Sequence, residues 1–276
     1  MHRIIYIWLV LVSFIALSFS PAGAQWSQDG ARVAFTTSTI LDVLRTAPTG
    51  QGNSVVVWDA DPTGSYEIYA QRLDREGNAL WSPNGVAVTA LPSSEQMQPD
   101  VISDGGGGCF IVWADSRGGD YDIYAQHIDG EGAPQWGANG KLIATQVADL
   151  IDPHIVTDGA GGFICVFENY YFGASDVDIA GQRVDANGNL LWGGYANIVT
   201  SSGSQTEPEL VTDYAGGAVV VWTDERVAAN KDIYAQRIDG GAIPYWPVDG
   251  VPVCMAANAQ YEPQLVSDWV DGAFVT

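Results

Sequence analysis

Acidic side chains recur around a repeated proline: Asp100, Asp152 with His154, Glu207 with Glu209, and Glu262. Gathered round one opening, such carboxylates could hold a cation through hard oxygen ligands. They could equally supply the paired acid and base of glycoside cleavage, with Glu207 and Glu209 the first residues to replace. The plainer alternative is a hydrated acidic rim. A second group, Asp115, Arg117, Asp120 and Asp122, is echoed by Asp224, Arg226 and Asp232. A recurring pattern favours an ion pair and turn hydrogen bonds, since a binding site would ordinarily be unique. Asp115, Asp120 and Asp122 are still the candidate ligands for Ca2+, the only cofactor considered. They lack the Asp-x-Asp-x-Asp-Gly spacing of a strong calcium motif. The third group is the run Asn169-Tyr170-Tyr171-Phe172-Gly173. Three successive aromatics in a loop cannot all be buried, and flat rings stack on sugars or anchor protein partners. Tyr170, Tyr171 and Phe172 are therefore candidate ligand-binding residues.

Other chemistries lack their residues. His2, His127 and His154 are the only histidines, and no H-E-x-x-H, G-x-S-x-G or Walker loop occurs. A sialidase-like site would need clustered arginines. Here Arg72, Arg117, Arg183, Arg226 and Arg237 are phased with a repeat and spread along the chain. The balance of 33 Asp+Glu against 11 Lys+Arg, a net charge of -22, argues against nucleic acid and anionic membrane surfaces. With 47% hydrophobic and 11% aromatic residues the chain can build a core.

The elements that position these residues follow from the repeat. Trp58, Trp113, Phe167 and Trp222 are 55, 54 and 55 residues apart. Trp81, Trp136, Trp192 and Trp246, and the glutamines Gln71, Gln126, Gln182 and Gln236, keep the same phase to within a residue. A period of this size signals a repeat architecture. Each unit holds four strand-like segments; in the second they are Pro99–Ser103, Cys109–Trp113, Asp122–Asp129 and about Trp136 to Thr145. Short strands, Gly-rich turns and no helical pattern predict an all-β fold. The second strand is apolar on both faces, so both must be covered. A β-propeller of four-stranded blades does this, with four full blades and parts of a fifth. The repeated tryptophans are then core between blades, and the glutamines satisfy backbone groups between strands. The Asp-Gly turns share one end of the propeller. The longer, variable loops, with all three candidate groups, share the other, where binding usually resides.

The unit D-G-x-G-G-x-x-x-V-W-x-D-x-R followed by D-I-Y-A-Q-R-[LI]-D stands here as Asp104–Arg117 with Asp122–Asp129, and as Trp222, Asp224, Arg226 with Asp232–Asp239. It resembles the repeat of secreted bacterial β-propeller proteins and, more distantly, that of TolB-type propellers. The resemblance implies the fold and an exported protein, but no particular activity.

Residues 1–24 combine Arg3, an apolar run from Ile4 to Phe19, and Ala22-Gly23-Ala24, the pattern of a cleaved signal peptide. Residues 25–276 are then the propeller domain of a secreted or cell-surface protein with no membrane span after cleavage. Residues 26–35 align with a fourth strand, and the last unit stops inside its second, which suggests a truncated sequence. Cys109 and Cys165 occupy equivalent strands and are expected to be free, buried thiols. The functional expectation is a monomeric, non-enzymatic binding or scaffold module for a surface glycan or protein. The alternative is a polysaccharide-active enzyme using channel-mouth carboxylates.

Overall fold

The computed structural model describes residues 41–61, 64–171, 176–227, 230–270 and 272–276. The signal peptide expected at 1–24, the N-terminal strand expected at 26–35 and Phe172 lie outside the described residues.

The fold is an all-β propeller. The first blade comprises β1 (Leu41–Gly50), β2 (Asn53–Ala60), β3 (Glu67–Leu73) and β4 (Val86–Ala87). The second comprises β5 (Gln96–Ser103), β6 (Cys109–Asp115), β7 (Asp122–Ile128) and β8 (Lys141–Ala144). The third comprises β9 (Leu150–Thr157), β10 (Phe163–Tyr170), β11 (Val177–Val184) and β12 (Ala196–Val199). The fourth comprises β13 (Gln205–Thr212), β14 (Ala218–Asp224), β15 (Asp232–Ile238) and β16 (Val251–Cys254). The fifth sheet is β17 (Leu265–Ser267) with β18 (Ala273–Val275). Within each sheet the strands are antiparallel and follow chain order. β1, β5, β9, β13 and β17 pack successively against one another and form the inner ring. Two boundaries differ from expectation. The inner strands start before the repeated proline, because a bulge lets pairing continue past it. The outer strands are short, because the segment after each tryptophan turns before it pairs.

The core lies between blades. Val57, Ile68 and Trp81 of the first blade pack with Cys109, Ile111 and Trp113 of the second. Phe110, Ile123 and Trp136 pack with Phe163, Cys165 and Phe167 of the third. Ile164 and Ile179, with the partly buried Trp192, pack with Val220 and Trp222 of the fourth. Doubly apolar second strands are thus covered on both faces, as their composition requires. Cys109, Cys165 and Cys254 are free, the first two buried.

The repeated glutamines have one job. Gln126 is fully buried; its Oε1 accepts from the N–H groups of Trp136 (2.9 Å) and His127 (3.0 Å), and its Nε2 donates to Gly137 O (2.6 Å). Gln71 and Gln236 make the same three bonds, and Gln182 binds the corresponding groups of the third blade. These bonds hold the outer segment to the third strand where it has left the ladder.

The third blade departs from the pattern by a matched exchange. A Cβ on Gly140 would lie 2.5 Å from Trp113 Cη2, and Gly85 and Gly250 abut Trp58 and Trp222 in the same way. Tyr195 occupies the equivalent position in the third blade, where the tryptophan is Phe167. The smaller ring leaves room, and the two meet edge-on with centroids 5.9 Å apart.

Candidate active site in the central channel

Five equivalent positions on the inner ring carry five different side chains. Arg45, Asp100, His154 and Glu209 pair in register with Val57, Val112, Val166 and Val221, and Gln264 follows at the same spacing. All five line one cavity of about 490 Å³ in the central channel, with Ile155 and Leu210. Elsewhere the repeat keeps its tryptophans and glutamines; here it supplies a cation, two carboxylates, an imidazole and an amide.

Asp100 is anchored by the main chain: its Oδ1 accepts from its neighbour Val101 N (2.9 Å) and its Oδ2 from Ile155 N (3.0 Å) in the next blade. Burial pushes the Asp100 carboxyl up, against the opposing pull of His154 and those two N–H groups. His154 Nδ1 lies 3.8 Å from Asp100 Oδ2, and its Nε2 3.5 Å from Asp152 Oδ1. Burial pulls the imidazole down, but Asp152, Asp100 and Glu209 together raise it above its ordinary value. Glu209 Oε1 accepts from Gln264 Nε2 at 3.2 Å.

One step towards the mouth, Gln98, Asp152, Glu207 and Glu262 each precede the repeated proline and adopt φ of 52–57°. Non-glycine residues held there carry strain of roughly 1–3 kcal/mol each and concentrate at functional sites. Each of their N–H groups is met by a side chain from the preceding blade. Asp59 accepts from Gln98 N, Gln98 from Asp152 N, Glu168 from Glu207 N, and Glu207 from Glu262 N. Thr223 Oγ1 also donates to Glu207 Oε2 at 2.6 Å. Glu207 is therefore a clamp between blades, while Glu209 faces the cavity.

The remaining candidates are accounted for locally. Asp115 is fully buried, accepts from Trp113 Nε1 (2.9 Å), and forms a two-pronged pair with Arg117 (2.9 and 2.5 Å). Asp224, Trp222 and Arg226 repeat the unit. Each guanidinium lies over a tyrosine, 3.8 Å above Tyr124 and 3.9 Å above Tyr234. Burial pushes the Asp122 carboxyl up, opposed by hydrogen bonds from Thr145 and Gln146. Among the described residues no group of three or more His, Cys, Asp or Glu side chains is arranged to hold a metal ion. Tyr171 stands where Arg117 and Arg226 stand, and its hydroxyl accepts from Asn169 Nδ2 (3.2 Å) in place of the ion pair. Tyr170 donates to Glu168 Oε2 at 3.1 Å. Tyr170 thus engages its own strand, while Tyr171 remains exposed.

No protein-family model matches the chain, and no curated protein matches it. Solved structures do. The α-L-arabinanase of Penicillium chrysogenum complexed with arabinobiose aligns with TM-score 0.53 at 12% identity, covering 86% of this chain and 77% of that one. A family 117 glycoside hydrolase from Zobellia galactanivorans aligns with TM-score 0.50 at 11% identity, covering 81% and 74%. A protein of unknown function from Dyadobacter fermentans aligns with TM-score 0.53 at 11% identity, covering 77% and 69%. The likeness is one of fold. It corrects the expectation of a non-enzymatic binding or scaffold module: the two neighbours named here for an activity are an arabinanase and a glycoside hydrolase. The sequence had pointed the other way because it contains no local catalytic motif. The cavity residues come from five blades, about 55 positions apart, and no short window contains two blades' worth.

Proposed function

We propose that this protein is a polysaccharide-active propeller of the glycoside hydrolase type, with its reaction centre in the channel. The observation that carries the reading is the convergence of Asp100, His154 and Glu209 from three successive blades on one cavity. Glycoside cleavage needs a carboxylic acid to protonate the leaving oxygen and a second carboxylate serving the anomeric carbon. Asp100 fits the first role, because burial favours its protonated form. Glu209 is the second carboxylate lining the cavity. His154 lies between them in ring order, 3.8 Å from Asp100 Oδ2, and lends the centre a positive charge. Arg45, the guanidinium on the cavity wall, and Gln264 are placed to orient sugar hydroxyls. The substrate class is a neutral glycan, the propeller acts as a monomer, and the export pattern at 1–24 with the motif's likeness to secreted propellers supports action outside the cell.

The test is release of reducing ends from a panel of arabinans, xylans, mannans and glucans. Asp100→Asn and Glu209→Gln should each lower kcat by about 100-fold or more with the fold intact. No hydrolysis anywhere in the panel by folded wild-type protein rejects the reading.

A further inference from the structure

The turn between the first and second strands is built identically in four blades. Asp104, Asp158, Asp213 and Asp268 each accept from the N–H groups two and four residues on. The hydroxyls of Ser103, Thr157, Thr212 and Ser267 accept from the N–H two residues on. The residue after each aspartate has positive φ: 77° at Gly105, 71° at Gly159, 55° at Tyr214 and 68° at Trp269. Glycine adopts this conformation freely, whereas other L residues are sterically disfavoured there. The fourth and fifth blades nevertheless place aromatic rings there, and both are exposed, Tyr214 by 51% and Trp269 by 65%. The ring centroids are 6.3 Å apart and their planes 26° from parallel. The fold does not call for them, because the second and third blades make the same turn with glycine.

We propose that Tyr214 and Trp269 form a stacking platform for the sugar rings of a neutral polysaccharide. A local conformational rule broken twice, in adjacent blades and for exposed rings, marks a feature retained for something other than stability. Near-parallel rings with polar edges suit the apolar face of a sugar. The net charge of -22 disfavours an anionic polymer. An aromatic anchor for a protein would instead fill a desolvated pocket, and these rings sit at the tips of tight turns. β13 runs from Gln205 at the channel mouth to Thr212 beside the platform. At ~3.3 Å per residue, on the order of 20 Å of strand separates the two sites. The platform therefore holds polysaccharide at the opposite end of the blade from the channel mouth and does not depend on the channel's chemistry.

The test is affinity electrophoresis of the full chain through native gels carrying arabinan, xylan, galactomannan or mixed-linkage glucan, with the double variant Tyr214→Gly/Trp269→Gly. Glycine restores the residue found in the sister blades, so thermal stability should hold or rise while retardation weakens by roughly tenfold or more. Absence of retardation for wild type in every gel overturns the proposal, as does undiminished retardation of the variant. A drop in Tm of the variant overturns it too, by assigning the rings to packing. The catalytic reading is judged separately. Wild type that is retarded but hydrolyses nothing leaves the platform standing alone, and Asp100→Asn should lose hydrolysis while keeping retardation.

Discussion

Glu168 Oε1 accepts the main-chain N–H of Glu207 at 2.9 Å, across the boundary between the third and fourth blades. The bond belongs to an alternating scheme. Asp59 and Glu168, on second strands, reach forward from the first and third blades. Ala114 and Thr223 hold that position in the second and fourth, and there Gln98 and Glu207 reach forward instead. Glu168→Ala therefore strands the Glu207 N–H and should destabilise by about 1–3 kcal/mol, whereas Glu168→Gln keeps the acceptor and most of the stability. Urea unfolding of the two variants checks this; equal losses would show that the carboxylate's charge, not its acceptor, matters.

The imidazole of His154 gives a pH signature. It faces Asp100 on β5, Asp152 on its own strand and Glu209 on β13, with Arg45 on β1 lining the same cavity. Its pKa in the folded protein is raised above 6.5, because the three carboxylates outweigh burial. The folded state thus binds the proton more tightly than the unfolded chain. The stabilisation is fully present below 6.5 and is lost as pH rises through the folded value. The Tm advantage of wild type over His154→Gln should therefore be largest at acidic pH and shrink above neutrality. A pH-independent difference in paired melting curves would contradict it.

The repeat made the propeller legible, because one register of tryptophans and glutamines must satisfy the same blade contacts each time. Asp100, His154 and Glu209 were visible as an acidic series, yet their setting was not. Arg45 and Gln264 belong to the same ring, but neither is acidic, so a search for carboxylates passes over them. Lining up the units and asking where side-chain chemistry changes while spacing holds would have found all five. The setting of Glu207 was hidden for a different reason. Only Pro208 separates it from Glu209, but the bulge and positive φ turn one into a clamp and leave the other on the cavity. Tyr214 and Trp269 were unreadable without dihedral angles, since their significance lies in where glycine is absent.

Gln126 tests whether the amides are structural. Replacing it with Leu keeps the bulk but strands the N–H groups of His127 and Trp136 and the carbonyl of Gly137. At about 1–3 kcal/mol for each buried group left unpaired, Gln126→Leu should be among the most destabilising single changes in a blade. Gln126→Glu retains the acceptors and should recover part of the loss at low pH, when the carboxyl can also donate. Thermal melts of both variants at pH 4.5 and 7.5 would decide it.

The exchange of Phe167 and Tyr195 predicts a compensating pair. Phe167→Trp alone restores the repeat residue into a space already filled by Tyr195, and overpacking should cost about 1–3 kcal/mol. Tyr195→Gly alone opens a void beside Phe167, removes the hydroxyl's bond to Gln146 Oε1 at 3.2 Å, and, for this half-buried ring, should cost about 2–3 kcal/mol. Combined, the two recreate the arrangement seen at Trp113 and Gly140, where the ring lies against the glycine. The double variant should then be more stable than the sum of the single losses by about 0.5–3 kcal/mol, the range for residues in direct contact. A double-mutant cycle in urea measures this coupling. Strict additivity would mean that the two positions vary independently and that the third blade's departure is not a matched repacking.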